Sequence, residues 1–230
     1  MTVRVVAMAV AVFVYWSSNT TMPATQIPQP VLTQRWRLVR IVDREAIGFR
    51  PLGTGFLLMR GPFAFVVTNA HVVRKAKGRP WVSIGKQAHE SQEQVTDDNH
   101  DVAVLRLGKD VDISGETTER SSSAGPGDQV YAFGFPDDLG TATDPLISAG
   151  HVLWAGEYSP TEQMAITSGH YPGVTVPAFI VTGIACKHGA SGGPVFGSTG
   201  AILGYVKGTL DTGECICVSI ERALQLIGSM

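Results

Sequence analysis

The chain has 230 residues, with 18 Lys+Arg against 20 Asp+Glu and a formal net charge of -2, so it lacks the basic field of a nucleic-acid binder and the acidic tail that marks a charged partner. Its length is read as one domain of two lobes with a full core. The 26 Gly and 13 Pro are spread along the chain, which suits many short strands joined by tight turns better than long helices.

Residues 1–34 come first as an apolar segment plus linker. Arg4 precedes an apolar run from Val5 to Trp16, too short to span a bilayer comfortably and well suited to the core of a secretory signal peptide. No clean small-x-small cleavage site follows, and Thr20 and Ala24 are the nearest candidates. The run is read as a signal peptide or an uncleaved anchor, the competing reading being a strand or core helix. Export (periplasmic or extracellular) or membrane association through this segment follows. The stretch 20–34, with Pro23, Pro28 and Pro30, reads as a linker.

Residues 35–125 form the first lobe in this reading. Apolar stretches from Arg35, from Gly53 (GTGFLLM) and from Phe63 to Val73 are strand candidates bounded by Gly, Pro or charge. The third carries Thr68-Asn69-Ala70-His71, a histidine just past a β-branched strand, where the sheet would hold its backbone and leave the ring free. After Trp81 to Ile84 and a polar stretch, Asp101 opens a strand DVAVLRL. Alternation puts Asp101 on one face with Ala103, Leu105 and Leu107, so an inward carboxylate there needs a hydrogen-bonding partner such as a histidine N–H. Asp97, Asp98 and Asp110 are read as solvated loop carboxylates.

The polar stretch Ser121 to Gly127 marks the boundary, and residues 126–230 form the second lobe. Strands are expected at Asp128 to Pro136 and Pro177 to Ala185, in a hairpin after Ser191 with its turn at Gly197 to Gly200, and at Cys215 to Ile220. A short helix from Glu221 to Ile227 follows, with Ser219 as a candidate cap. The stretch His188 to Phe196 reads HGASGGPVF. A serine is a weak nucleophile until a base takes its proton and fixed N–H groups receive the oxyanion, and glycines let the backbone aim those groups. Taken alone the string also fits a Gly/Pro-rich surface turn.

Chain order separates the two readings: His71, then Asp101, then Ser191. TNAHVV, DVAVLRL, GASGGPVF and the GTGFLL before the histidine resemble the trypsin/chymotrypsin superfamily of serine endopeptidases, in its HtrA-like bacterial branch. His151, within a similar ISAGHVLW, fails because no suitable Asp strand lies between it and Ser191. His170 and His188 have no assigned partner, although His188 is placed to rim the cleft.

The resemblance implies an all-β fold of two six-stranded antiparallel Greek-key barrels with the active site between them and a short C-terminal helix. It implies a polypeptide substrate and a catalytic triad of His71, Asp101 and Ser191, with the N–H groups of Gly189 and Ser191 as oxyanion hole. No metal and no cofactor are expected. Ala185 and Cys186 would line the specificity pocket. Val206, Lys207 and Gly208 would run along the substrate backbone as an edge strand. Ala185 leaves no carboxylate at the pocket base, so a small or medium apolar P1 side chain is expected.

Ala190 stands where digestive relatives carry the Asp that pairs with a freshly cut N-terminus, so activation by that ion pair is not available. The three cysteines allow at most one internal disulfide. Cys186 with Cys215 or Cys217 would resemble the bridge bracing the pocket in secreted relatives, and three buried thiols are the favoured alternative. No PDZ domain is expected after Met230. The competing functions are a catalytically silent protease-fold binding or chaperone module, and an esterase using the same triad. Oligomeric state is not readable from the sequence.

Overall fold

In the computed structural model the described residues are 27–109, 111, 123–137, 144–159 and 175–230. The apolar run Val5 to Trp16, Asp110, Ser121, Ser122 and His170 lie outside them. Among the described residues no helix is long and apolar enough to cross a membrane.

The chain enters through helix α1 (Gln29–Leu32) and a 3-10 turn, Arg35–Arg37. Seven antiparallel strands follow: β1 Leu38–Arg44, β2 Phe49–Arg60, β3 Phe63–Thr68, β4 Trp81–Ile84, β5 Gln87–Glu90, β6 Glu93–Asp97 and β7 Val102–Arg106. Their order across the sheet is β5-β4-β1-β2-β3-β7-β6. A one-turn helix α2 (Ala70–Val73) leaves the end of β3. The second sheet closes into a barrel, in the order β10-β13-β12-β11-β8-β9. Its strands are β8 Gln129–Gly134, β9 Leu146–Tyr158, β10 Val176–Thr182, β11 Pro194–Gly197, β12 Ile202–Thr209 and β13 Cys215–Ser219. Helix α3 (Glu221–Ser229) closes the chain.

Where six strands were expected in the first lobe, the sheet has seven. The hairpin β4–β5 turns at Gly85, whose φ of +59° suits a residue without a Cβ. The residues beyond it, QAHE and EQVTD, are half-exposed, so they lack the apolar alternation by which strands are read.

Three apolar clusters organise the fold. One fills the first lobe around Val39, Leu57, Val66 and Leu105. A second fills the barrel around Val130, Phe179, Val195 and Cys217. The third joins the lobes: Phe56, Phe65, Val102 and Val104 meet Tyr131, Phe133, Phe196 and Tyr205, and α3 adds Ala223, Leu226 and Ile227. Strand β7 is therefore buried on both faces, with Val102 and Val104 toward the inter-lobe cluster and Ala103 and Leu105 toward the first-lobe core.

The linker expected up to residue 34 is corrected in its last part. Ile27 and Val31 are buried in the inter-lobe cluster, and Leu32 packs against it. Pro30 sits in the first turn of α1, where its missing N–H costs nothing, and the Pro30 carbonyl closes on Gly200 of the barrel. Val31→Ala removes two fully buried methyl groups and is expected to lower stability by about 2 kcal/mol. Denaturant unfolding checks this, through a lower midpoint at unchanged slope.

Candidate active site

Strand β3 ends at Thr68, and after Asn69 helix α2 starts at Ala70 and carries His71 in its first turn. The His71 ring thus stands on a helical turn held by the sheet, not at a bare strand end. Asp101 lies not on β7 but in the turn before it, with φ +49°, the only non-glycine positive φ among the described residues. This departs from the expected strand start. Its side chain is 1% exposed.

Both Asp101 carboxylate oxygens are engaged by one residue. Oδ1 accepts the His71 backbone N–H at 2.9 Å, and Oδ2 meets His71 Nδ1 at 2.8 Å. A buried carboxylate so placed selects the Nδ1–H tautomer and leaves Nε2 as the ring's basic atom. The His71 side chain is 21% exposed, enough for Nε2 to meet a reacting group. Asn69 Nδ2 donates to the Asp101 carbonyl at 3.2 Å.

Ser191 comes from the second lobe, in the loop between β10 and β11. In this conformer its hydroxyl donates to the Lys207 carbonyl at 3.3 Å. The loop is registered on the first lobe by Thr54: its N–H donates to the Ser191 carbonyl at 2.9 Å, and its hydroxyl donates to the Gly189 carbonyl at 2.7 Å. The same hydroxyl accepts the Phe135 N–H at 2.9 Å. Sequence reading missed Thr54, although a threonine between two glycines ahead of an apolar run, GTGFLL, was the available signal.

Gly189 has φ +89°, and a Cβ there would lie 2.4 Å from the Phe135 carbonyl oxygen. The His188 carbonyl accepts the Asp137 N–H at 2.7 Å. Because a trans peptide points its C=O and N–H in opposite directions, the Gly189 N–H faces away from Asp137. His188 itself is exposed. His151 is exposed on β9 of the barrel, paired with Gln129 and Thr182. Ala190 is buried, against Gly134.

A cavity of about 260 Å³ is lined among others by Thr182, Ile184, Ala185 and Cys186, from the chain leading to the Ser191 loop, and by Thr209 and Glu214. The expected pocket residues Ala185 and Cys186 line it, whereas Val206, Lys207 and Gly208 do not. Val206 is corrected as a backbone partner for substrate, since its N–H donates to the Gly193 carbonyl and its C=O accepts from Gly192, both at 2.8 Å. Lys207 sits at a break in the β12–β13 register, between Val206 and Gly208. Cys186 is bridged to Cys215, with Cα atoms 5.8 Å apart. Cys217 is a buried free thiol, and burial pushes its ionisation upward. The favoured expectation of three free thiols gives way to one bridge.

Lys207 is 6% exposed, and burial lowers its ammonium to about 8 although the Asp101 charge acts in the opposite direction. Among the described residues, no cluster of three or more His, Cys, Asp or Glu is arranged to hold a metal ion.

A histidine–aspartate pair on one β lobe and a serine on a glycine-rich loop of the other, across a shared seam, define the trypsin-like peptidase class. The chain belongs to the trypsin-like peptidase domain family, whose family model matches residues 53–204. It is 29% identical over 155 residues to a protein of Pseudomonas savastanoi pv. phaseolicola named a probable periplasmic serine endoprotease, DegP-like, covering 66% of this chain and 28% of that protein. A protein of the same name from Halomonas elongata is 31% identical over 156 residues, covering 67% of this chain and 29% of its own length. The chain thus spans less than a third of either relative. The structure of the Rv3671c protease of M. tuberculosis in its active form superposes with TM-score 0.69 at 21% identity, covering 91% of this chain and 87% of that one, which shows the shared fold.

The lowered Lys207 value carries a sign. Below about 8 both folded and unfolded chains hold the proton, and between about 8 and 10.5 the unfolded chain holds more, so this group makes stability rise with pH across that window. Lys207→Met is expected to remove this contribution, leaving a flatter difference between wild-type and variant stabilities below pH 8 and a falling advantage of the variant above it. Chemical unfolding of both proteins from pH 7 to pH 10 measures it.

Proposed function

We propose that the chain is a serine endopeptidase working through an acyl-enzyme, with His71, Asp101 and Ser191 as its triad. The observation carrying this reading is the buried Asp101 carboxylate, which holds His71 through two bonds, to the backbone N–H at 2.9 Å and to ring Nδ1 at 2.8 Å. Ser191 Oγ turns from the Lys207 carbonyl toward His71, gives its proton to Nε2 and bonds to the substrate carbonyl carbon. The N–H groups of Gly189 and Ser191 receive the oxyanion. Collapse breaks the C–N bond as His71 returns the proton to the leaving amine. Water then attacks the acyl-enzyme, His71 again acting as base, and the acid product leaves with Ser191 restored.

The cavity supports a small or medium apolar P1 side chain. Thr182, Ile184, Ala185 and Thr209 line it, Ala185 offers no carboxylate, and the charged Lys187 and Glu214 are exposed and half-buried. Beyond Val206, the backbone of Lys207 and Gly208 is the segment to run beside the substrate. Export is proposed as well: the bacterial relatives carry the word periplasmic in their names, and the Cys186–Cys215 bridge suits an oxidising compartment.

A fluorophosphonate probe tests the chemistry. Labelling of wild type and none of Ser191→Ala is expected, and an unlabelled wild type would favour the silent binding module. Asp101→Asn should lower kcat by about 10⁴, the factor known for this substitution in the trypsin-fold template, since the wrong tautomer is then held. A peptide-library digest reads the P1 preference and separates peptidase from esterase.

A further inference from the structure

Asp101 adopts a backbone conformation that an aspartate rarely occupies, and such a residue persists only where its surroundings hold it. The turn that carries Asp101 begins just after Asp97. Asp97 ends β6, faces Val102 at the start of β7, and so brackets the four-residue turn that delivers Asp101. Asp97 Oδ1 accepts the N–H groups of Asn99 and His100 at 3.0 and 3.2 Å, closing the turn from inside. Its Oδ2 meets His100 Nδ1 at 3.0 Å and Arg222 Nε at 2.6 Å.

Arg222 belongs to α3, at the other end of the chain. We propose that Asp97 and Arg222 are a positioning pair which fixes the turn carrying Asp101, so that the aim of the catalytic carboxylate depends on the C-terminal helix. This rests on the triad reading above. Besides the His71 bonds to its carboxylate and the Asn69 bond to its carbonyl, the turn is tied by the Asp101 N–H to the Asp98 carbonyl at 3.2 Å, Tyr205 to the His100 carbonyl at 3.4 Å, and the ion pair of Asp98 with Arg74, one residue beyond α2.

Two features set this pair apart from an incidental surface bridge, which contributes little. The Asp97 side chain is only 12% exposed, and although burial alone would raise its carboxyl, hydrogen bonds from Arg222 and His100 hold it below the usual range. The buried face of α3 is formed by Ala223, Leu226 and Ile227, whereas the Arg222 side chain is 37% exposed. Its other bond is to Gln225 of its own helix, at 3.0 Å. Removing the guanidinium therefore loosens the turn while the helix stays docked.

The test compares wild type, Arg222→Gln and Arg222→Lys in the full chain. It uses steady-state cleavage of a peptide with an apolar P1 residue and the low-field proton resonance of His71 Nδ1–H. For Arg222→Gln, kcat should fall roughly tenfold, as a misplaced catalytic group makes it do, with KM unchanged because the pocket lies on the other lobe. The resonance should move upfield or broaden, thermal unfolding should stay cooperative, and Arg222→Lys should recover most of the loss. Wild-type kcat together with an unmoved resonance in Arg222→Gln would overturn the proposal. Should that variant fail to fold, Asp97→Asn keeps an acceptor for the turn's N–H groups while removing the charge facing Arg222, and the same two readings decide. A wild-type protein unreactive toward the fluorophosphonate overturns the peptidase reading alone, because the resonance still reports whether Arg222 governs the His71–Asp101 bond.

Discussion

The arrangement of this site depends on Thr54. This residue is fully buried, and each of its polar groups is engaged: the N–H by Ser191, the hydroxyl by Gly189 and Phe135, and the carbonyl by Thr68 Oγ1 at 2.6 Å. A buried polar group left unmatched is costly, so a fully matched one tolerates little displacement. Thr54 lies on β2, whose neighbour β3 leads into the turn bearing His71. The Ser191 loop of one lobe is thereby indexed to the strand beside His71 of the other. Gly192 makes the approach feasible, since a Cβ there would lie 2.1 Å from the Thr54 carbonyl oxygen.

Backbone chemistry in the loop follows from the same constraint. With the Ser191 and Gly189 carbonyls both drawn toward Thr54, and the His188 carbonyl drawn to Asp137, the peptide planes around the serine have few remaining orientations. Lys207 closes the other side. At the register break of β12 its carbonyl turns toward the Ser191 hydroxyl, and its desolvated ammonium lies within the field of Asp101.

What could be read from the sequence was whatever expresses itself as local pattern. The strands with strong apolar runs, the helix at Glu221 and the three motifs in their order all have that character, and the family match follows the same signal. Strands β5 and β6 did not, because neither buries a regular face. Ile27 and Val31 were hidden by the prolines around them, which favoured a linker where the chain makes one packed turn. The disulfide partner of Cys186 was open for a different reason: Cys215 and Cys217 sit two residues apart on one strand face, and only the register of β13 against its neighbours distinguishes them. Long-range polar matches such as those of Thr54 leave no periodic trace at all.

The placement of charge argues for a division of labour between the lobes. The first lobe holds the His71–Asp101 pair, with the carboxylate buried on a strained turn whose backbone is tied by Asn69, by Tyr205 from the barrel and by the Asp97 network. The second holds Ser191 and the cavity, where the lining is largely neutral and the Cys186–Cys215 bridge ties the loop after β10 to β13. A buried, hydrogen-bonded pair and an open cavity place different demands on packing. Seating them on separate cores, joined by one apolar cluster and the Thr54 contacts, lets the cavity lining vary without disturbing the carboxylate. On this view the residues most sensitive to change are those crossing the seam, rather than those lining the pocket.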